Sequence, residues 1–156
     1  MFTFMKLVSI LLTGILLMLV VTTPSQARGG MDVVTIQMST GPRDWSVELA
    51  SDNQSRSKGL MFRRHMDAGS GMLFRFDETR PVTMWMKNTF LPLDMIFADQ
   101  TGLVTHIHRG AVPQSLNIIS SRGPVRFVLE INAGEADQSG LAIGDRLQHP
   151  WILPGN

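Results

Sequence analysis

Hydrophobic and polar residues alternate over several short stretches of the chain, which is the spacing of half-buried β-strands. In one of them Trp45, Val47 and Leu49 would point to one side, and Ser46 and Glu48 to the other. Further stretches are rich in the β-branched and aromatic residues that favour strands. They are residues 33–38, 72–76, 82–87, 93–98, 102–109 and 125–131, and we expect the chain to return to strand at 144–147. Their spacing predicts an α+β, β-rich fold built on a mostly antiparallel, meandering sheet.

Turn-forming residues separate these segments. Residues 41–44, Gly-Pro-Arg-Asp, predict the turn between the first two strands. Residues 77–81 predict a polar loop that ends where proline blocks a helix. Residues 99–102, Asp-Gln-Thr-Gly, predict a hairpin turn in which glycine supplies the positive φ.

Two short helices are predicted between the strands. Ser51 and Asp52 are residue types that cap helix N-termini, and the helix after them is expected to end near Gly59 or to continue to Met61. Residues 133–139 predict one or two further helical turns, which Gly140 would end.

The N-terminus has the pattern of a secretory signal. Lys6 is followed by an apolar run over residues 7–21 and by Ser25-Gln26-Ala27, a small-x-small cleavage site. This run is shorter than the about 20 residues that span a bilayer. We therefore expect cleavage before Arg28 and export to the periplasm or the medium, with no stable membrane anchor afterwards. The predicted organisation is a signal peptide at 1–27, a leader and first strand at 28–44, one globular domain at 45–149 and a tail at 150–156.

The charge of the chain narrows the classes of partner, and its cysteine content indicates how the fold is stabilised. The chain has 14 Lys and Arg, so the predicted loss of Lys6 leaves 13 against 13 Asp and Glu, a net charge of zero with His neutral. With no run of Lys and Arg, we expect no nucleic-acid partner and no polybasic face for anionic lipid. The chain has no Cys, so the fold has to be stabilised by its core alone. No cofactor is expected, and nothing in the sequence indicates an oligomeric state.

Polar residues interrupt the most apolar part of the chain, TMWMKNTFLPLDMIF at residues 83–97. If residues 82–87 form a strand, Trp85 and Lys87 share one face of it. We interpret these residues as a pocket for a small ligand or an envelope partner, in which the indole stacks on the ligand and polar groups orient it. The predicted binding residues are Trp85, Lys87, Asn88, Asp94, Glu130 and Arg63. The alternative is structural: Trp85 in the core, Lys87 paired with Asp94 or Glu130, and Asn88 holding a turn.

Catalysis by carboxylates is a second possibility. The chain lacks GxSxG, HExxH and a glycine-rich phosphate loop, but Asp94 and Glu130 could together support hydrolysis or lysis of an envelope glycan. This requires both carboxylates to face one cleft. The structural alternative for Glu130 is an ion pair with Arg63, Arg126 or Lys87.

Metal binding is a third possibility. His106 and His108 would share one face of a strand, with a third ligand from Asp94, Glu130, His65 or His149. Met84 and Met86 flank Trp85 and would offer thioethers to Cu(I). Methionines in apolar runs more often fill core space, and we assign no metal site.

Six blocks of sequence resemble one family. GLMFR at 59–63, GMLF at 71–74, WMKNT at 85–89, PLDMIF at 92–97, VLEI at 128–131 and GD at 144–145 are similar in order to the domain of unknown function 192. The resemblance runs from about Val47 to Leu147. It implies a compact β-rich fold with a strongly curved or barrel-like sheet and one or two short helices, frequently behind a bacterial signal peptide. It implies no established activity.

Overall fold

A computed structural model describes residues 31–152, which form seven strands and two short helices. The strands are β1 Asp32–Met38, β2 Gly41–Ala50, β3 Ser70–Met84, β4 Leu93–Ala98, β5 Val104–Ala111, β6 Ile119–Asn132 and β7 Arg146–Gln148. The helices are α1 Asn53–Lys58, between β2 and β3, and α2 Glu135–Ser139, between β6 and β7. The predicted signal peptide and residues 153–156 of the predicted tail lie outside the described residues.

All seven strands belong to one sheet in the order β5-β4-β6-β3-β2-β1-β7. Neighbouring strands are antiparallel except β2 and β3, which run parallel because α1 and the segment after it carry the chain back across the sheet. The two edges of the sheet approach each other at Leu103, which bridges Arg146. Two backbone bonds, each of 2.8 Å, close this seam: Val104 donates to Asp145, and Leu147 donates to Gly102. The expected β-rich fold with a strongly curved sheet and two short helices is confirmed.

Apolar side chains fill both faces of the curled sheet. The inner face encloses a core that includes Trp45, Phe127 and Ile96. The outer face carries a second core, which includes Phe74, Phe97 and Met95. Every residue of β4 is buried, because this strand contributes to both cores.

Three loop segments cover the outer core; we call residues 59–66, 85–91 and 111–118 the covering layer. Leu60, Met86 and Leu91 of these segments are buried against the sheet. Backbone bonds tie the segments together: Phe62 donates to Asn88 (2.8 Å), Met86 to Ser115 (3.0 Å) and Gln114 to Thr89 (3.0 Å).

Both helices begin and end near the predicted residues. Asp52 caps α1 by accepting from the backbone of Gln54 and Ser55, and the Ser55 hydroxyl completes a capping box. Gly59 ends α1, and Gly140 ends α2 with a φ of 77°. Between residues 31 and 152, no helix has the length and apolar character needed to cross a membrane.

Two predicted turns are in fact parts of strands. Residues 77–81 belong to β3, because β6 is long enough to continue pairing beyond them, and register shifts accommodate the polar residues and Pro81. Residues 41–44 belong to β2, since Met38 pairs with Gly41 and the chain reverses at Ser39 and Thr40.

The predicted boundaries of the globular domain are too narrow. β1 lies between β2 and β7 and places Val34 and Ile36 in the inner core, so the domain includes residues well before Trp45. At the other end, Ile152 is buried in the inner core although it was expected in a tail.

Gly102 stands where the edges of the sheet meet. Its φ is +82°, and a Cβ there would lie 2.3 Å from the carbonyl oxygen of Leu147. Gly69 offers a matched comparison, because its φ is +73° and a Cβ there would have no neighbour within 4 Å.

We predict that Gly102→Ala destabilises the protein much more than Gly69→Ala. Both changes place a side chain in the left-handed region, which costs about 1 kcal/mol, and Gly102→Ala also forces the seam apart, which adds about 2 kcal/mol. Urea unfolding monitored by fluorescence measures both losses. Equal losses in the two variants would contradict the role of the seam.

Candidate functional site

Glu130 is the most unusual side chain of the outer face. It lies in the middle strand of three, directly between Met72 of β3 and Met95 of β4. Only 5% of the residue is exposed. Within residues 31–152 its carboxyl group has neither a hydrogen bond nor an ion pair, and burial alone raises its pKa to about 8. At neutral pH this side chain is therefore mainly the uncharged acid, which can both donate and accept a hydrogen bond.

A cleft of about 230 Å³ opens above Glu130, between α1 and the end of β3. Its apolar walls are Leu60, Met61, Phe74, Phe76, Met84 and Trp85. The polar residues among its lining are Asn53, Ser57, Thr83, Thr89 and Glu130, and the cations are Arg56, Lys58 and Arg80. Glu130 is the only carboxylate in that lining, so the cleft combines apolar walls with one uncharged acid.

Arg56 already has a structural role beside the cleft. Its guanidinium donates to the carbonyls of Ser51 (2.6 Å) and Arg75 (2.9 Å) and pairs with Asp77 at 3.0 Å. Its central carbon also lies 5.7 Å from the centroid of the Phe76 ring. Arg56 therefore holds α1 against β3 and does not serve as a ready anion site.

Trp85 borders the cleft but does not lie on a strand. β3 ends at Met84, so the expected strand face shared by Trp85 and Lys87 does not exist. The chain instead turns back at Asn88, and the Lys87 ammonium lies 5.2 Å from the centroid of the Trp85 ring. Trp85 is 50% exposed. Its indole is therefore available to a ligand.

Asn88 holds the turn, as in the structural alternative. Its φ is +56°, a left-handed conformation that asparagine tolerates better than most residues. Its carbonyl accepts from Phe62, and its side-chain amide approaches the Met61 sulfur at 3.9 Å. Neither Asn88 nor Lys87 is among the residues that line the cleft.

Asp94 is on the wrong face of the sheet for the predicted site. It lies opposite Ile131 while its neighbour Met95 lies opposite Glu130, and successive residues of a strand point to opposite faces. Its carboxylate is 1% exposed and accepts from three backbone N–H groups, those of Gly110 (2.9 Å), Gly134 (2.9 Å) and Ala136 (3.1 Å). Asp94 therefore holds the start of α2 and the end of β5. The expected pair of catalytic carboxylates, Asp94 and Glu130, does not form.

Arg63 is also outside the cleft. It forms a two-bond ion pair with Glu48, which lowers the pKa of Glu48. It borders a separate hollow of about 180 Å³ beside Met31 and Met66. None of the ion pairs considered for Glu130, with Arg63, Arg126 or Lys87, is present in the described structure.

The proposed metal ligands do not converge. His106 and His108 do share one face of β5, opposite Phe97 and Met95, and burial lowers the pKa of His106. Within the described chain, however, no three His, Cys, Asp or Glu side chains are grouped as metal ligands. Met84 is the last residue of β3 and borders the cleft, whereas Met86 follows the strand and is buried in the outer core, so these methionines do not form a pair on one strand face.

Several cleft residues were not predicted from the sequence. Thr83 and Thr89 flank Trp85 in the chain, and Leu60 and Met61 belong to the GLMFR block. Leu60, Met61 and Thr89 lie in blocks that carry the family resemblance, whereas Thr83 does not. The sequence contained no sign that the blocks meet around Glu130, because their proximity depends on the pairing of β3 with β6.

Comparison with known proteins identifies the family. The model of DUF192, described as "Uncharacterized ACR", matches residues 34–149. The chain belongs to the DUF192 family. A search of curated proteins found no match.

Two solved structures are similar to this DUF192 protein. A putative transcription regulator from Sinorhizobium meliloti 1021 is 47% identical, with a TM-score of 0.76, and the match covers 81% of this chain and 100% of that chain. A protein of unknown function from Novosphingobium aromaticivorans DSM 12444 is 35% identical, with a TM-score of 0.75, and the match covers 76% of this chain and 85% of that chain. The first match includes the whole of the crystallised chain.

We predict that Glu130 makes the stability of this DUF192 domain depend on pH. Its pKa is about 8 in the folded state against an ordinary value of 4.5, so between these pH values the folded state binds more protons than the unfolded state. The free energy of unfolding should therefore fall as pH rises through this window, by up to about 1.4 kcal/mol per pH unit. Glu130→Gln, which cannot ionise, should lose this slope and be more stable than the wild type at pH 8.

Urea unfolding from pH 5 to 9 tests this prediction. Glu78→Gln is the matched control, because Glu78 is an exposed glutamate in β3. Contributions from other titrating groups cancel when each variant is compared with the wild type. Parallel curves for the wild type and Glu130→Gln would show that Glu130 ionises normally in the folded protein.

Proposed function

We propose that this DUF192 protein is an exported domain that binds a small, uncharged polar ligand in the cleft above Glu130. One observation supports this most strongly: Glu130 is almost fully buried, borders a cleft and has no partner in the described structure. The Glu130 carboxyl oxygens are not among the side-chain atoms that the described structure shields fully from solvent, so they are open to the cleft. A hydroxyl or amide group of a ligand can therefore reach them and supply the missing hydrogen bond.

The chemistry of the cleft indicates the class of ligand. An uncharged carboxyl group forms good hydrogen bonds with hydroxyl and amide groups, whereas an ammonium group interacts best with the ionised form. The half-exposed Trp85 ring offers a flat face on which a sugar ring or another planar group can stack. The volume, about 230 Å³, is below the about 300 Å³ at which pockets for drug-sized ligands begin. The cleft therefore suits a small molecule or one unit of a longer one.

The name of the Sinorhizobium meliloti protein suggests DNA binding, which the described structure does not favour. α1 has 6 residues and α2 has 5, and both are too short to serve as recognition helices. We therefore do not extend that name to this chain.

Closing the cleft should abolish binding. We choose N-acetylglucosamine as the probe, because it presents hydroxyl groups, an amide and a sugar face, and glucosamine as its cationic counterpart. In amide NMR spectra at pH 6, N-acetylglucosamine should shift the resonances of Leu60, Trp85 and Glu130, and glucosamine should do so more weakly. Thr83→Phe, which fills the cleft from an exposed position, should remove the shifts.

Thr79→Phe is the control for this experiment, because Thr79 is exposed on the same strand but does not line the cleft. It should bind as the wild type does. Identical shifts in the Thr83→Phe variant would place binding elsewhere. No shifts with either sugar would reject the proposed ligand class.

Export is supported by the signal pattern of residues 1–27. When the full chain is expressed in a Gram-negative host, we expect a periplasmic protein whose mass corresponds to a start at Arg28. Leu16→Arg, which interrupts the apolar run, should leave an uncleaved protein in the cytoplasm, and Ile143→Arg should be exported normally. Recovery of the intact chain in the membrane fraction would show that the segment is an anchor.

A further inference from the structure

The outer surface of the covering layer is unusually apolar. Nine large hydrophobic side chains are exposed among residues 31–152, and six of them project from this layer. We call these six the apolar loop face: Phe62, Trp85, Phe90, Val112, Leu116 and Ile118. Phe62, Leu116 and Ile118 are 63%, 67% and 74% exposed, respectively. A cluster of this kind on one surface of a small domain marks a site of interaction.

The fold holds these side chains outward in a defined arrangement. Backbone bonds join the three segments, and the rings of Phe62 and Phe90 meet edge to face with centroids 6.5 Å apart. Three of the four non-glycine residues with positive φ in the described chain lie here: Phe62 (65°), Asn88 (56°) and Gln114 (61°). Positive φ is unfavourable for a phenylalanine. Phe62 therefore has a strained backbone conformation, although its side chain is exposed to solvent.

The charges of the face have one sign. Residues 59–66, 85–91 and 111–118 contain no Asp or Glu. Arg64 lies 5.2 Å from the centroid of Phe90, and Lys87 lies 5.2 Å from the centroid of Trp85. Both cations therefore border the exposed rings. Arg63, the third cation, is neutralised by Glu48.

We propose that the apolar loop face docks reversibly on an anionic lipid bilayer. Aromatic and aliphatic side chains at loop tips favour the boundary between headgroups and acyl chains. Lysine and arginine beside them attract anionic headgroups. The sequence suggested no lipid-binding face because Arg64 and Lys87 are 23 residues apart in the chain; the fold brings them to one surface.

A second copy of the chain fits this face less well. In a symmetric dimer the same patch of both copies forms the interface, so Arg64 and Lys87 of each copy would enter it while residues 59–66, 85–91 and 111–118 supply no carboxylate to neutralise them. An anionic membrane supplies the opposite charge across the whole face.

Vesicle flotation of residues 28–156 tests the proposal, since this segment lacks the apolar run at 7–21 and contains all of residues 31–152, which form the described fold. We expect binding to phosphatidylcholine vesicles that contain phosphatidylglycerol in equal amount, at least tenfold weaker binding to pure phosphatidylcholine, and weakening by salt. Trp85 fluorescence should shift to the blue on binding. The shift should disappear in Trp85→Phe, which keeps the buried Trp45 and the half-buried Trp151, neither of which lies in the apolar loop face.

Matched variants separate the apolar and charged contributions. Phe62→Ser with Leu116→Ser should reduce binding at least tenfold, whereas Val33→Ser with Ile143→Ser, exposed positions outside the face, should not. Lys87→Glu with Arg64→Glu should likewise weaken binding to the anionic vesicles at least tenfold, and Arg43→Glu should leave it unchanged. Urea unfolding confirms that each variant is folded.

Several outcomes would overturn the proposal. These are no flotation with anionic vesicles, equal binding by the Phe62→Ser, Leu116→Ser variant, or equal binding to neutral and anionic vesicles. Sedimentation showing a dimer that buries Trp85 without lipid would assign the face to a second copy. The tests do not depend on the proposed function, because Phe62 and Leu116 do not line the cleft.

Discussion

The pairing of β6 with β3 on one side and β4 on the other determines where the important side chains lie. This register places Met72, Glu130 and Met95 in one row across three strands. It also sends Asp94 to the opposite face. Because side chains alternate along a strand, a shift of β6 by one residue would turn Glu130 into the inner core. A shift of β4 by one residue would turn Asp94 away from the three backbone N–H groups that now bind it.

The same register explains why the two carboxyl groups have such different surroundings. Asp94 is enclosed by N–H groups near the end of β5 and at the start of α2, and its carboxylate accepts a hydrogen bond from each of them. Glu130 is enclosed by thioethers and aliphatic groups, which favour the neutral form. Asp94 therefore holds elements of the fold together. The Glu130 carboxyl group forms no such hydrogen bond in the described structure, so it remains available to a ligand.

The class of fold was predictable from the sequence because it depends on local patterns. Alternation and β-branched content located β4 to the residue, and capping types located α1. The candidate site was predictable only in part. Trp85 and Glu130 were recognised as polar or aromatic groups in apolar surroundings, and they do meet at the cleft. The same criterion also selected four residues that have other roles. Lys87 and Asn88 belong to the turn after β3, Asp94 holds the start of α2, and Arg63 pairs with Glu48. Short stretches of sequence could not exclude them, because which side chains meet depends on the register of distant strands. The long β3 was missed for the same reason, since its polar middle is held by a distant partner.

The arrangement of the first and last strands has a consequence for biogenesis. β1 pairs with β7, so the sheet cannot curl shut until the final residues of the domain are available. A chain emerging from the ribosome therefore stays open at this point throughout synthesis. If the chain is exported unfolded, as the proposed signal peptide implies, this delay keeps it competent for translocation until it has crossed the membrane.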